Sequence, residues 1–121
     1  MNKATITDVN EVETQKFPWG AIKWLCNEKI DKDAEQTLGV VYINPGQVND
    51  MHSHPNCEEL LYVISGECDH RLGDEVYPLK AGMMIRIPRN VKHNAVNTGW
   101  APVMMLISYS SADRQTTFYE E

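Results

Sequence analysis

Residues 52–64, HSHPNCEELLYVI, set two of the chain's four histidines two positions apart, follow them with a proline and two adjacent acids, and end in an apolar run. In an extended segment side chains two apart project to the same side, so His52 and His54 offer two imidazoles to one point, as joint coordination of an ion requires. Pro55 interrupts strand pairing, and the chain re-enters a strand near Glu59, so a carboxylate on the same or a neighbouring strand can close on that point. A further candidate is His93 in GMMIRIPRNVKHNAVN (82–97), where Gly82 and Pro88 bracket a short apolar strand and PRN (88–90) turns the chain back. Imidazole nitrogen with carboxylate oxygen suits one divalent transition ion, Mn, Fe, Co, Ni, Cu or Zn, while calcium prefers an all-oxygen shell.

Working outward, strand signals recur at short intervals: 20–26, 37–43, 59–65, 67–72, 83–87, 92–97 and 102–110, separated by turn formers such as NPG (44–46), SG (65–66), LGDE (72–75), KAG (80–82), PRN and NTG (97–99). No segment carries a 3.6-residue apolar period, and NEKIDKDAEQ (27–36) reads as a polar loop. Many short strands with Gly and Pro turns predict an all-β sandwich or barrel. With 121 residues, no internal repeat and even composition as far as a polar tail, one domain spanning 1–121 is expected.

The longest apolar runs, LLYVI (60–64) and APVMMLI (101–107), fall far short of the roughly 20 residues of a membrane helix, so a soluble protein with no membrane partner is expected. The N-terminal residues hold no signal-peptide-like apolar stretch, which makes the cytoplasm the expected location. Three cysteines cannot all pair within the chain, and reduced thiols are expected at Cys26, Cys57 and Cys68. A net charge of -6 with scattered Lys and Arg argues against nucleic acid as a partner.

The two histidine-bearing segments resemble the two motifs of the cupin superfamily. The first runs Gly46, five residues, His52, one, His54, four, Glu59, six, Gly66; the second runs Gly82, five, Pro88, then His93, three, Asn97. One position departs: Asn90 stands where the second motif usually has glycine, and asparagine tolerates the left-handed backbone such a turn needs. The spacer of fifteen residues between Gly66 and Gly82 is similar to that of small single-domain bacterial cupins. The resemblance implies a double-stranded β-helix, or jelly-roll, barrel. It also implies a metal held by His52, His54, Glu59 and His93. The count to Gly66 selects Glu59 over Glu58, and strand parity points those two acids to opposite faces.

The remaining candidates fall outside the motif ligands. Glu58 reads as solvated or as an outer partner of the metal site. Glu58, Tyr62, Tyr42 and His70 are proton-transfer candidates, Tyr62 only if it faces inward; His70, in ECDHRLGDE (67–75), reads first as a surface residue of a hairpin. Arg86 is the one charge in MMIRI (83–87): facing inward it would hold a carboxylate or phosphate, facing outward it would snorkel at a subunit surface. Arg114, in the tail, is a candidate anchor for a substrate carboxylate, and Tyr42 a candidate substrate contact. Trp19, Trp24, Tyr42, Tyr62 and Trp100 read first as core, with a cavity-lining role second. Cys57 reads as a buried thiol rather than a ligand. With Glu59 inward, Leu61 and Val63 also face in, leaving Leu60, Tyr62 and Ile64 as an outward apolar stripe that a homodimer would cover.

Three His and one carboxylate leave coordination positions open for water or an oxygen-rich substrate. The leading expectation is a metal-dependent enzyme that isomerises, tautomerises or lyses a sugar or sugar acid. A dioxygenase on a diketone, flavonol-like or thiol substrate is the second reading. The third is a non-catalytic cupin that binds a small molecule such as a sugar.

Overall fold

The computed structural model describes residues 4–120. Eleven strands and no helix occur among them: β1 (Thr14–Phe17), β2 (Gly20–Cys26), β3 (Thr37–Ile43), β4 (His52–Ser53), β5 (Glu59–Ser65), β6 (Glu67–Leu72), β7 (Glu75–Lys80), β8 (Met84–Ile87), β9 (His93–Val96), β10 (Val103–Tyr109) and β11 (Thr117–Phe118). They form a six-stranded sheet in the order β1-β2-β3-β10-β5-β8 and a five-stranded sheet in the order β11-β4-β9-β6-β7, with antiparallel pairing throughout.

Period-two burial builds the space between the sheets. Along β10, Val103, Met105, Ile107 and Tyr109 are buried while the residues between them are partly open. Along β5, Glu59, Leu61 and Val63 face in and Leu60, Tyr62 and Ile64 face out, as the sequence parity requires. Ile43, Val41 and Ile87 extend this apolar layer, and Cys68, Leu79 and Ala95 meet it from the smaller sheet. Each such side chain withdrawn from water contributes about 1.5–3 kcal/mol for the larger aliphatics. The polar stretch 27–36 is a loop, opened by an Asn27 side chain that accepts from the backbone N–H groups of Lys29 and Ile30. Asn90, at the departed motif position, has a φ of 69°.

Several elements differ from the sequence reading. β7 goes unread because Pro78 interrupts EVYPLK; the strand lies at the edge of its sheet, where a residue with no N–H to donate is tolerated. β1 and β11 are short, and mostly polar, and they also end their sheets. The core expectation holds for Trp19, which stacks on Phe17 with ring centroids 4.7 Å apart, but fails for Trp100, 97% exposed in a turn. Tyr42 and Tyr62 are also outside the core, because parity places them on the outer face of the larger sheet.

Candidate metal centre

β4 and β9 lie side by side in the smaller sheet, and His52 is the register partner of His93. Ser53 turns the other way to meet the Tyr119 hydroxyl, so His54 returns to the same side as His52. Glu59 opens β5 in the facing sheet. The smaller sheet, with the residue just past β4, therefore supplies the three imidazoles and the larger sheet the carboxylate. One ligand atom from each of the four residues lies within 4.8 Å of all the others. His54, Glu59 and His93 are buried, and Glu59 is 3% exposed.

The outer nitrogens fix the rings. Nδ1–H of His52 donates to the Asp50 carbonyl at 2.7 Å, that of His54 to the Gln115 carbonyl at 2.9 Å, and that of His93 to the Val91 carbonyl at 2.9 Å. With Nδ1 of each ring engaged by a backbone carbonyl, Nε2 is the nitrogen each ring turns to the centre. Nε2 of His93 and of His54 then face Glu59 Oε1 at 3.2 and 3.4 Å. Ring nitrogens and a carboxylate oxygen converging at that distance, sealed from water, call for positive charge among them, a proton in the metal-free chain or a bound cation in its place. Nε2 of His54 is buried and finds no hydrogen-bond partner. These observations fit a divalent ion at the point where the four ligands meet, His52, His54, His93 and Glu59 holding it.

The charge states agree. Burial alone would raise the Glu59 pKa, but the imidazoles of His54 and His93 set against its carboxyl outweigh it and hold it well below its usual range. Burial, and then the charge of His93, lowers His52 to about 3, so it is neutral. Burial, with the same His93 charge, lowers His70 to about 4. Because the folded chain holds His52 and His70 unprotonated while the unfolded chain protonates them below about 6.5, the unfolded state binds more protons in the window from 6.5 down toward 3. Metal-free protein is therefore expected to lose stability as pH falls through that window. Urea midpoints measured at pH 7.5, 6 and 5 check this; a midpoint rising toward pH 5 would contradict it.

The ligands open onto a chamber of about 240 Å³ between the sheets, walled by Phe17, Trp19, Ile22, Val41, Leu61 and Ile107. A larger groove of about 580 Å³ lies outside it and holds none of the four ligands; Gln15 and Arg114 border both spaces. The C-terminal segment straps across the site. It brings the Gln115 carbonyl to His54, pairs β11 with β4, and sets Phe118 opposite His52, with ring centroids 6.1 Å apart.

The other predicted residues separate into two groups. Glu58 and Arg86 pair with each other on the outer surface, Arg86 Nε donating to Glu58 Oε2 at 2.7 Å, and Tyr62 and Tyr42 share that outward side. The alternation that turns Glu59 inward turns these four away from the ligands, so the proton-transfer role considered for Glu58, Tyr62 and Tyr42 and the inward reading of Arg86 have no geometric basis at this centre. Arg114 and His70, in contrast, both line the chamber. Arg114 lays its guanidinium over the rings of Trp24 (4.6 Å) and Tyr109 (5.2 Å) and donates to Thr116 Oγ1; no acid among the described residues pairs with it. The surface reading of His70 is corrected. It faces inward from β6, 1% exposed, its ring 5.8 Å from that of His93 and nearly parallel to it.

Tyr109 went unnoticed in the sequence. It is the register partner of Glu59 across β5 and β10, and its ring meets that of His54 edge-on at 5.0 Å. Burial and the charge of Glu59 raise its pKa well above 10, so it stays a phenol. The signal was the parity of VMMLISY, which ends with Tyr109 on the same face as Val103, Met105 and Ile107.

Residues 39–109 match the family described as a cupin domain. This chain belongs to the cupin family. A "Polyketide synthase CurC" from Streptomyces cyaneus is 28% identical to this cupin over 105 residues, covering 87% of this chain and 68% of that protein. Among solved structures, an oxalate decarboxylase from Lactobacillus farciminis in a formate complex superposes with a TM-score of 0.83 at 22% identity, over 90% of this cupin and 34% of that chain. An uncharacterised double-stranded β-helix protein from Klebsiella pneumoniae superposes with a TM-score of 0.80 at 22% identity, over 98% of this cupin and the whole of that chain. These neighbours agree with the barrel built here from strand parity.

Proposed function

We propose that this cupin is a metal-dependent enzyme that isomerises, tautomerises or lyses a small oxygen-rich carbonyl compound. The observation that carries the reading is the convergence of His52, His54, His93 and Glu59, three of them with their outer nitrogens pinned, at the wall of a chamber sized for a small molecule. Bound there, a divalent ion supplies Lewis acidity toward a carbonyl or carboxylate oxygen. The protein does the rest. The apolar walls exclude water and strengthen every electrostatic contact inside. Arg114, a cation with no acidic partner among the described residues, is suited to a substrate carboxylate. Tyr109 keeps its proton and so serves as a hydrogen-bond donor to developing negative charge rather than as a base.

The wall composition refines the substrate. A chamber flanked by Phe17, Trp19, Tyr109 and Phe118 suits a flat, conjugated, enolisable carbonyl better than a ring bristling with hydroxyls, and a relative bearing a polyketide synthase name fits that chemistry. A sugar acid remains the comparison substrate. Turnover of β-dicarbonyl and unsaturated uronate panels by metal-loaded protein is the test, with loss in His52→Ala expected. Substrate-dependent oxygen uptake would favour a dioxygenase, tight binding without turnover would favour a binding protein, and neither binding nor turnover across both panels would leave the proposal without support.

We also propose a homodimer, with one cupin domain over residues 1–121 in each copy, and the outer face of the larger sheet supports the pairing. Register there aligns Val40, Leu106, Tyr62 and Met84 across four strands, with exposed Leu60 and Ile64 beside them. A contiguous apolar face of this kind wants cover. Light scattering at micromolar concentration is expected to give twice the 13.8 kDa chain mass, and Tyr62→Glu is expected to halve it. A monomeric mass for the unaltered protein would rule the dimer out.

A further inference from the structure

The buried polar side chains can be accounted for one by one. Asn94 accepts from Arg71 and donates to the Asn49 carbonyl; Asn97 donates to two carbonyls and accepts from Gly99; Thr37 donates to Ser111 and Ser53 meets Tyr119. Only two buried side-chain nitrogens have no partner among the described residues, His54 Nε2 and His70 Nδ1. The first belongs to the metal centre. The second is left over, and no hydrogen bond reaches the other His70 ring nitrogen either. Buried imidazole is rarely left so, and in a residue that lines the chamber a ring with neither nitrogen engaged signals a missing partner, with Nε2 rather than the sealed Nδ1 the nitrogen a chamber ligand can reach.

His70 is not part of the ligand set; its ring stands nearly parallel to that of His93 at 5.8 Å, on the neighbouring strand β6, and it lines the same chamber. The geometry points to His70 as a substrate-contacting residue that hydrogen-bonds a second oxygen or N–H group of a ligand whose first oxygens sit at the metal centre. The substrate class is thereby narrowed: a planar carbonyl chelator carrying a further polar group several bonds from the chelating pair, rather than a simple carboxylate such as oxalate. This rests on the metal-dependent reading above.

The test uses zinc-loaded full-length protein and two matched chelators: kojic acid, and allomaltol, which differs from it by loss of one hydroxyl remote from the chelating oxygens. The unaltered protein is expected to bind kojic acid about tenfold more tightly, the value of one hydrogen bond. His70→Leu is expected to keep the same zinc content and lose the preference, and His70→Gln to keep part of it. In the unaltered protein the His70 ring-nitrogen resonances are expected to shift with kojic acid and not with allomaltol, a readout that survives if either variant fails to fold. Equal preference in the unaltered and His70→Leu proteins, no preference in the unaltered protein, or unmoved His70 resonances would overturn this inference alone. Loss of zinc in His70→Leu would also overturn it, by making His70 a support of the metal site. Failure of the unaltered protein to hold zinc or another divalent ion would overturn the metal reading itself, and this inference with it.

Discussion

His93→Ala protein is expected to lose its metal, with affinity falling by more than the roughly 10- to 100-fold that removal of an outer partner costs. His93 supplies one Nε2, is locked by the Val91 carbonyl, and is the register partner of His52, so its loss removes a ligand that no neighbour can replace. Glu59→Gln is expected to behave similarly, since a neutral amide cannot balance the ion's charge. Glu58→Gln is the control: Glu58 faces away and pairs with Arg86, so metal content should be unchanged. Stability follows the metal. At free ion a hundredfold above its dissociation constant, the unaltered protein should gain about 2.7 kcal/mol, which shifts its melting temperature by several degrees. The His93→Ala protein should show no such gain. Elemental analysis and paired melting curves with and without metal check both statements; equal metal content in His93→Ala and the unaltered protein would contradict them.

Gly66→Ala is expected to cost about 2–5 kcal/mol and Gly82→Ala only about 1–2 kcal/mol, although both are motif glycines with positive φ. At Gly66, φ is +84° and an added Cβ would lie 2.8 Å from the Pro102 carbonyl oxygen and 2.9 Å from Val103 Cα, so backbone must move. At Gly82, φ is +92° but nothing lies within 4 Å of the added carbon, leaving the conformational strain alone. Gly66 thus holds the β5–β6 corner against the start of β10, which is why the chain can pass from one sheet to the other there. Denaturant midpoints for the two variants give the comparison directly. Equal destabilisation would show that the close approach at Gly66 relaxes at little cost.

The parts of the molecule legible in the sequence are those where a short-range rule acts alone. Parity along 59–65 separates Glu59 from Glu58 and places Leu60, Tyr62 and Ile64 outside, and the spacing of His52 and His54 puts both on one side. Legibility fails where a residue's role depends on a partner distant in the chain. His70 looks like a surface residue between charged neighbours, yet β6 pairs with β9 in a register that sets His70 beside Ala95 and brings it against His93. Arg86 could not be oriented until β8 was placed against β5, which puts it opposite Leu60 and within reach of Glu58. The polar tail gives no periodic signal because its main contribution is backbone: the Gln115 carbonyl sets the tautomer of His54 from 61 positions away. Pro78 hid β7 for the opposite reason, since a local rule against proline in strands yields at a sheet edge.

The most direct measurement is X-ray absorption or anomalous scattering from metal-loaded protein at the metal's edge. The expected result is one ion per chain, bound by three imidazole nitrogens and one carboxylate oxygen at about 2.0–2.2 Å, with the nitrogens belonging to His52, His54 and His93. Protein that takes up no divalent ion after repeated loading, or an ion found on other side chains, would contradict the central claim.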